Sequence, residues 1–241
     1  MISKTKWLFV SDVDDTLIGD DNALKKFADR LKTIRDKLII AYNSGRPCAS
    51  LHKTFSENPL LPIPDFLIGA VGTEIEKGIS GEILPEYQVS LVPNWTRNKI
   101  TSVVDEMGFE SHPLEFQTWF KVSYDVFEEK AYRKIVQRLK IAGIAAKVIY
   151  SSHKNLDIIP VNAGKGNAIE FLRTKFKIQP YNVIVVGDSG NDIEMFMKPY
   201  KGIIVGNATS ELKKLSSEHI YKAQLGYANG IIEGLQYWDI F

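Results

Sequence analysis

The stretch Trp7-Leu8-Phe9-Val10-Ser11-Asp12-Val13-Asp14-Asp15-Thr16 decides how the rest of the chain is read. Its apolar half, Trp7 to Val10, is rich in β-forming residues and too short for a useful helix, which predicts a buried strand. Asp12 and Asp14 follow two residues apart, so in continued extended backbone both side chains leave the same face. Carboxylates held together at the carboxyl end of a buried strand repel each other and lose solvation. A protein tolerates that where a cation or a reaction requires it. The plain alternative is an acidic turn entering a helix, since Asp is common in turns and at N-caps. The other segments of the chain decide between the two.

At 241 residues the chain can bury a real core as one domain or two. Its 44% hydrophobic and 24% charged residues are those of an ordinary soluble globular protein. A net charge of +1 gives no reason to expect nucleic acid or an anionic membrane as partner, so attraction for an acidic ligand must be local. Cys48 is the single cysteine, which excludes an intramolecular disulfide and a cysteine-built zinc site. Lys4 and Lys6 precede too few apolar residues for a leader, and no stretch approaches a membrane span. The expected location is cytoplasmic.

Working outward, Leu24, Phe27, Ala28, Leu31 and Ile34 recur at helical spacing. Leu38 to Tyr42 then predicts a second strand, Pro47 the start of a helix, and Phe66 to Val71 a third strand. Apolar strands alternating with amphipathic helices point to a parallel sheet covered on both faces. The rhythm changes near Gly78. From there the pattern predicts a helix around Trp95 to Met107 and a strand around Phe116 to Val126. A helix from Lys130 to Ile141 and a hairpin turning at Ser152 to Asn155 follow. Alternation resumes with a helix at Ala168 to Phe176 and strands at Val183 to Val186 and Gly202 to Val205. Helices near Glu211 and Ile231 close the chain. The fold class is α/β: a doubly wound, Rossmann-like parallel-sheet core over residues 1–78 and 162–241, with an inserted α+β cap over 79–161.

In open parallel sheets, ligands sit beyond the carboxyl ends of the strands. Asp12 to Thr16, Asn43 to Arg46 and Gly187 to Asp192 all lie at such ends. Asp192 alone reads as an acidic residue at a helix N-terminus. Asp188, however, ends a second core strand just as Asp12 ends the first. Four carboxylates at one edge call for a hard divalent ion with oxygen ligands, magnesium where phosphate is also bound. Lys165, between Gly164 and Gly166, is a candidate cation for a ligand or a solvated loop lysine. Ser44, with Gly45 following, is a candidate to donate a hydroxyl and backbone N–H groups to phosphate oxygens, or a helix N-cap, or both. Together these are the parts of phosphoryl transfer through an aspartate nucleophile.

The four segments D-V-D-D-T, N-S-G-R, G-K-G-N and G-D-S-G-N-D stand in the order typical of the haloacid dehalogenase superfamily of phosphatases. Within it the chain resembles sucrose-phosphate phosphatases almost end to end. The residues that say so are A-V-G-T-E-I from Ala70, F-K-V-S-Y from Phe120, Y-S-S-H-K-N-L-D-I-I-P from Tyr150 and Y-K-A-Q from Tyr221. The resemblance implies that Asp12 attacks phosphorus, and that Asp14 protonates the leaving hydroxyl and later activates water. It implies magnesium on Asp12, the Asp14 carbonyl and Asp188, with Asn191 and Asp192 in the metal shell. Ser44 and Lys165 would bind phosphoryl oxygens, and the insert would be the substrate-selecting cap. The chain departs from the family pattern at Asp15, at Ser44 where threonine is frequent, and after Gln224, where a serine-serine-histidine sequence is usual.

The expected substrate is a small sugar phosphate, sucrose 6-phosphate first. Mannosylfructose phosphate, another glycoside phosphate and a hexose phosphate keep the chemistry and change the sugar. Phosphomannomutase-like transfer, or a non-catalytic sugar-phosphate binding module docked on a sugar-phosphate synthase, are the alternatives. Thr73, Glu74, Lys121, Asn155, Asp157 and Gln224 are the candidate sugar contacts. Trp95, Trp119 and Trp238 read as core and His153 as a solvated turn residue.

Overall fold

Strand-length apolar runs between amphipathic helices assemble into one large sheet in the computed structural model, which describes residues 6–241. The stretch before Lys6, including Lys4, lies outside those residues. In chain order the first elements are β1 (Trp7–Ser11), α1 (Asp21–Ile34), β2 (Leu38–Asn43), α2 (Cys48–Glu57) and β3 (Phe66–Gly69). Next come β4 (Glu74–Lys77), β5 (Glu82–Ile83), α3 (Pro85–Leu91), α4 (Arg97–Asp105), β6 (Val122–Asp125), α5 (Glu129–Ile141), β7 (Lys147–Ser151) and β8 (Asn155–Ile159). The chain ends through α6 (Lys165–Lys175), β9 (Val183–Gly187), α7 (Ile193–Phe196), β10 (Lys201–Ile204), α8 (Ser210–Lys213), β11 (Ile220–Lys222) and α9 (Tyr227–Tyr237).

The eight-stranded sheet runs β11-β10-β9-β1-β2-β3-β4-β5. Its pairs are parallel from β11 to β3, and β4 and β5 add antiparallel at one edge. β1 sits between β2 and β9, with Phe9 opposite both Ile40 and Ile184. That register brings the carboxyl ends of three buried strands side by side, which is where Asp12, Ser44 and Asp188 stand. Helix α1 shows how the pattern works locally. Asp20 caps it by accepting from the Ala23 amide at 3.0 Å, and Leu24, Phe27, Leu31 and Ile34 form its buried face.

A second, three-stranded antiparallel sheet runs β6-β8-β7. It has its own apolar cluster, in which Ile100 and Val104 of α4 and Ile135 and Leu139 of α5 cover Val122, Tyr124, Leu156 and Ile158. Three details differ from expectation. Residues 82–91, past the change of rhythm at Gly78, stay with the large sheet. β5 pairs with β4, and Tyr87 and Leu91 are buried in the large core. The strand expected from Phe116 shortens to Val122–Asp125, because Leu114–Phe116 is a 3-10 turn after Pro113. Trp119, read as core, is 67% exposed, whereas Trp95 and Trp238 pack on the large core. Among the described residues, no helix is long and apolar enough to cross a membrane.

Candidate active site

Strand β1 ends at Ser11, and the Asp12 amide extends its pairing by one residue, donating to the Val186 carbonyl at 3.0 Å. The chain then turns: the Leu17 and Ile18 amides both donate to the Val13 carbonyl, and Asp15 has φ +57°. Regular pairing therefore stops at Asp12, and the two carboxylates, though both line one cavity, take different partners. The Asp12 carboxylate accepts from Lys165 Nζ at 2.5 Å. Asp14 turns instead to Arg46, which donates Nε at 2.8 Å and Nη2 at 2.9 Å in a bidentate pair. Arg46 Nη1 is in turn held by Thr54 Oγ1 at 2.9 Å and Ser50 Oγ at 3.3 Å.

Lys165 opens α6, is fully buried, and bridges Asp12 and Asp192, the latter at 2.6 Å. The Asn43 amide donates to the Lys165 carbonyl at 3.1 Å and fixes that end of the helix to β2. Asp192 Oδ2 accepts from the Asp188 amide at 3.0 Å and the Ser189 amide at 3.1 Å. Ser189 and Asp192 thereby form a capping box across the turn after β9. Thr16 Oγ1 donates to Asp188 Oδ1 at 2.9 Å, tying the first acidic segment to the last. Ser44 is buried, and its hydroxyl accepts from the Arg46 amide at 3.1 Å, so it closes a local turn while facing the cavity.

Asp12, Asp188 and Asp192 are buried with one ligand oxygen each within 4.8 Å of one another. Burial pushes the Asp12 carboxyl well above the usual carboxylate range; Lys165 opposes this, and Asp192 and Asp188 add to it. Asp188 is raised to about 7, again by burial first and then by Asp192. Burial alone would discharge Lys165, but Asp12 and Asp192 outweigh it and hold the ammonium charged. Three buried carboxylates thus face a single ammonium. That excess of negative charge, carried by hard oxygen donors, fits a divalent cation.

A cavity of about 470 Å³ opens between the two sheets. One wall carries Asp12, Asp14, Ser44, Arg46, Asp188 and Asn191, and the other carries Lys121, Asn155 and Asp157. Lys165 and Asp192 lie beneath the first wall, fully buried. On the second wall Ser123 Oγ donates to Asp157 Oδ1 at 2.5 Å, while Lys121 Nζ reaches Ser123 Oγ at 2.8 Å and Asp157 Oδ1 at 3.3 Å. Three of the six expected sugar contacts are therefore brought together.

The other three are not on the cavity. Thr73 is fully buried and its hydroxyl donates to the Ala70 carbonyl at 3.0 Å, closing the turn in which Ala70 and Val71 have positive φ. Glu74 Oε2 accepts from the Cys48 amide at 2.8 Å and so caps α2, whose N-cap Pro47 supplies no side-chain acceptor. Gln224 is exposed at the end of the edge strand β11, with its amide donating to Glu233 Oε1 at 2.9 Å. The loop that follows is tied to the first acidic segment through Asn207, which accepts from the Tyr227 amide and donates to the Asp15 carbonyl. His153 is exposed on the hairpin turn, as expected. Arg46, His112 and Phe116 also line the cavity and were not foreseen. Arg46 had a signal, its place beside Ser44 at a strand end. His112 precedes, and Phe116 begins, the strand expected to run to Val126, and nothing in that pattern points to a cavity.

Residues 5–239 match the family model described as sucrose-6F-phosphate phosphohydrolase. The chain is 34% identical to mannosylfructose-phosphate phosphatase of Agrobacterium fabrum, with 97% of each chain covered. It is 32% identical to sucrose-phosphatase 2 of Nicotiana tabacum over 88% of its own residues, which span 53% of that longer protein. Among solved structures, the sucrose-phosphatase of Synechocystis sp., in complex with sucrose and phosphate, superposes with a TM-score of 0.91 at 30% identity, covering 98% of both chains. A haloacid dehalogenase-like hydrolase of Bacillus subtilis, 19% identical, shares the fold at a TM-score of 0.72. With acidic strand ends, a buried lysine and a polar second wall in one cavity, this chain belongs to the sucrose-6F-phosphate phosphohydrolase family of phosphoric monoester hydrolases.

Proposed function

We propose that this chain hydrolyses a phosphorylated disaccharide, sucrose 6-phosphate first, with magnesium as cofactor and an aspartyl phosphate on Asp12 as intermediate. The observation that carries this reading is Lys165 buried between Asp12 and Asp192 with Asp188 beside them. Asp12 forms the new bond to phosphorus as the bond to the sugar oxygen breaks. Lys165 offsets charge between the attacking carboxylate and the phosphoryl oxygens, and Ser44 donates its hydroxyl to one of them. Asp14 gives a proton to the departing sugar oxygen, then takes one from the water that releases phosphate and restores Asp12. Arg46 donates to both Asp14 oxygens and so orients the carboxylate that exchanges these protons. Asp12, the Asp14 carbonyl and Asp188 would hold the magnesium ion, with Asn191 and Asp192 around it, and its charge would neutralise the phosphoryl oxygens.

In this reading the insert expected over residues 79–161 serves as the cap from α4 onward, residues 82–91 staying with the large core, and the rest of the chain is the catalytic core. Lys121, Asn155 and Asp157 bind sugar hydroxyls from the cap side. A second reading, mannosylfructose phosphate, is favoured by the 34% identity to the Agrobacterium phosphatase over nearly the whole of both chains. Release of inorganic phosphate from the two disaccharide phosphates and from fructose 6-phosphate, with magnesium or with chelator, separates these readings. The preferred disaccharide phosphate should exceed the hexose phosphate by about 100-fold in kcat/KM, since unpaired polar groups on the second wall penalise the smaller substrate. Asp12→Asn should release no phosphate while remaining folded. Full activity in excess chelator, or turnover by Asp12→Asn, overturns the reading. A mutase would instead need a bisphosphate activator and release little free phosphate.

A further inference from the structure

One part of the cavity wall has no task in phosphoryl transfer. Residues 112–117 follow the bridge between Ser111 and Tyr124 and contribute His112 and Phe116 to the lining. Their loop is exposed enough that Leu114 is 88% accessible, yet it is pinned from inside. Gln117 Nε2 donates to the carbonyls of His112 at 3.0 Å and Ser123 at 2.8 Å, and its Oε1 accepts from the Ser123 amide at 2.9 Å. The His112 amide donates to the same Ser123 carbonyl at 2.9 Å. A surface loop fixed by three hydrogen bonds to β6 and one within itself holds its side chains in defined places over the cavity.

Behind the imidazole, Asp125 takes His112 Nε2 at 3.1 Å, and Lys154 reaches the same carboxylate oxygen at 3.4 Å. A carboxylate beside an ammonium accepts, so Nε2 carries the hydrogen. Nδ1 has no hydrogen-bond partner among the described residues. It is free to accept from a donor such as a hydroxyl. Phe116 stands edge-on to His112, ring centroids 6.4 Å apart at 80°. It also bounds, together with Arg46, an adjoining cavity of about 460 Å³. The aromatic ring thus borders the space where Arg46 holds Asp14, the side from which a sugar oxygen would leave. A sugar ring presents an apolar C–H face and a rim of hydroxyls, and an aromatic face beside a polar nitrogen matches both.

We infer that His112 and Phe116 are specificity-determining residues for the sugar part of the substrate, Phe116 packing on a ring face and His112 Nδ1 hydrogen-bonding a hydroxyl. The inference rests on the sugar-phosphate reading above. It assigns the two residues to the leaving group and none of the phosphoryl chemistry. Kinetics of the full chain with magnesium test it, using sucrose 6-phosphate, mannosylfructose phosphate and, as a phosphate donor without a sugar, acetyl phosphate. His112→Ala and Phe116→Ala should each lose about tenfold or more in kcat/KM on the preferred glycoside phosphate, mainly through KM, and stay within about threefold on acetyl phosphate. His112→Gln and Phe116→Tyr, which keep a hydrogen-bonding group and a ring, should recover most of the loss. Equal losses on acetyl phosphate would mark a structural role and overturn the inference. Unchanged kinetics on the glycoside phosphates would overturn it alone, leaving the substrate reading intact. A wild-type chain that turns over acetyl phosphate but no sugar phosphate overturns the substrate reading and this inference together.

Discussion

Lys165 is fully buried and within 2.6 Å of both Asp12 and Asp192, so its ammonium is desolvated and compensated by two anions at once. Removing one partner from such a set leaves buried carboxylates opposed only by each other. Lys165→Met should therefore cost about 3–5 kcal/mol of stability in urea unfolding, in addition to its loss of turnover. Millimolar magnesium should restore part of that stability if the carboxylates hold a cation, because a ligand bound only by the folded state stabilises it. A variant as stable as wild type would show that the carboxylates are protonated and indifferent to the lysine. At this scale the sequence is legible as a combination and not residue by residue: Asp12, Ser44, Lys165, Asp188 and Asp192 each have an ordinary reading alone, and only their order along the chain points to one site. The Arg46–Asp14 pair was not legible, since it depends on where the turn at Val13 to Ile18 redirects a side chain.

Between residue and molecule, elements are joined by caps that one segment lends to another. Glu74, at the start of β4, caps α2 through the Cys48 amide, and α2 in turn presents Ser50 and Thr54 to Arg46. Burial pushes the Glu74 carboxyl up, the Cys48 hydrogen bond opposes it, and Glu76 adds to the rise. An acid with a raised pKa binds more protons folded than unfolded, so its charged form costs stability at neutral pH and that cost disappears as pH falls. Wild type should accordingly gain stability relative to Glu74→Gln between pH 7 and pH 5, read from urea midpoints. A pH-independent difference would count against this. Turnover of the sugar phosphate should survive the substitution, because Glu74 is not on the cavity. Long periodic elements such as α1 and α5 were read correctly from their apolar spacing. The three-residue strand β11 and the two-residue strand β5 were not, because a run that short has no period and exists only through its neighbour.

Over the whole molecule, the turn between β3 and β4 meets the connection from β8 back to the large sheet at Gly72 and Gly164. The Tyr87 hydroxyl donates to the Gly72 carbonyl at 2.6 Å, and a Cβ on Gly72 would lie 2.3 Å from the Gly164 carbonyl carbon and oxygen and 2.7 Å from the Lys165 amide nitrogen. Gly72→Ala should cost more than about 2 kcal/mol and slow phosphate release, since relief of the clash must shift Lys165. Gly81→Ala is the control: its φ of +74° is similar to the +78° of Gly72, but nothing lies within 4 Å of the added carbon. It should show the backbone cost of about 1 kcal/mol with phosphate release unchanged. The α/β class, the acidic strand ends and the order of the four motifs followed from sequence, because strand and helix periodicity and charges misplaced at core strand ends are local facts of the chain. The tertiary structure alone decided which of those charges meet. β1 lying between β2 and β9 brings Asp12, Lys165, Asp188 and Asp192 to one point. The same packing sends Asp14 to Arg46, draws Thr73 and Glu74 into turns and caps, and leaves Gln224 at an outer edge. Side-chain direction at a site depends on where distant backbone ends, and neighbouring residue types do not encode that.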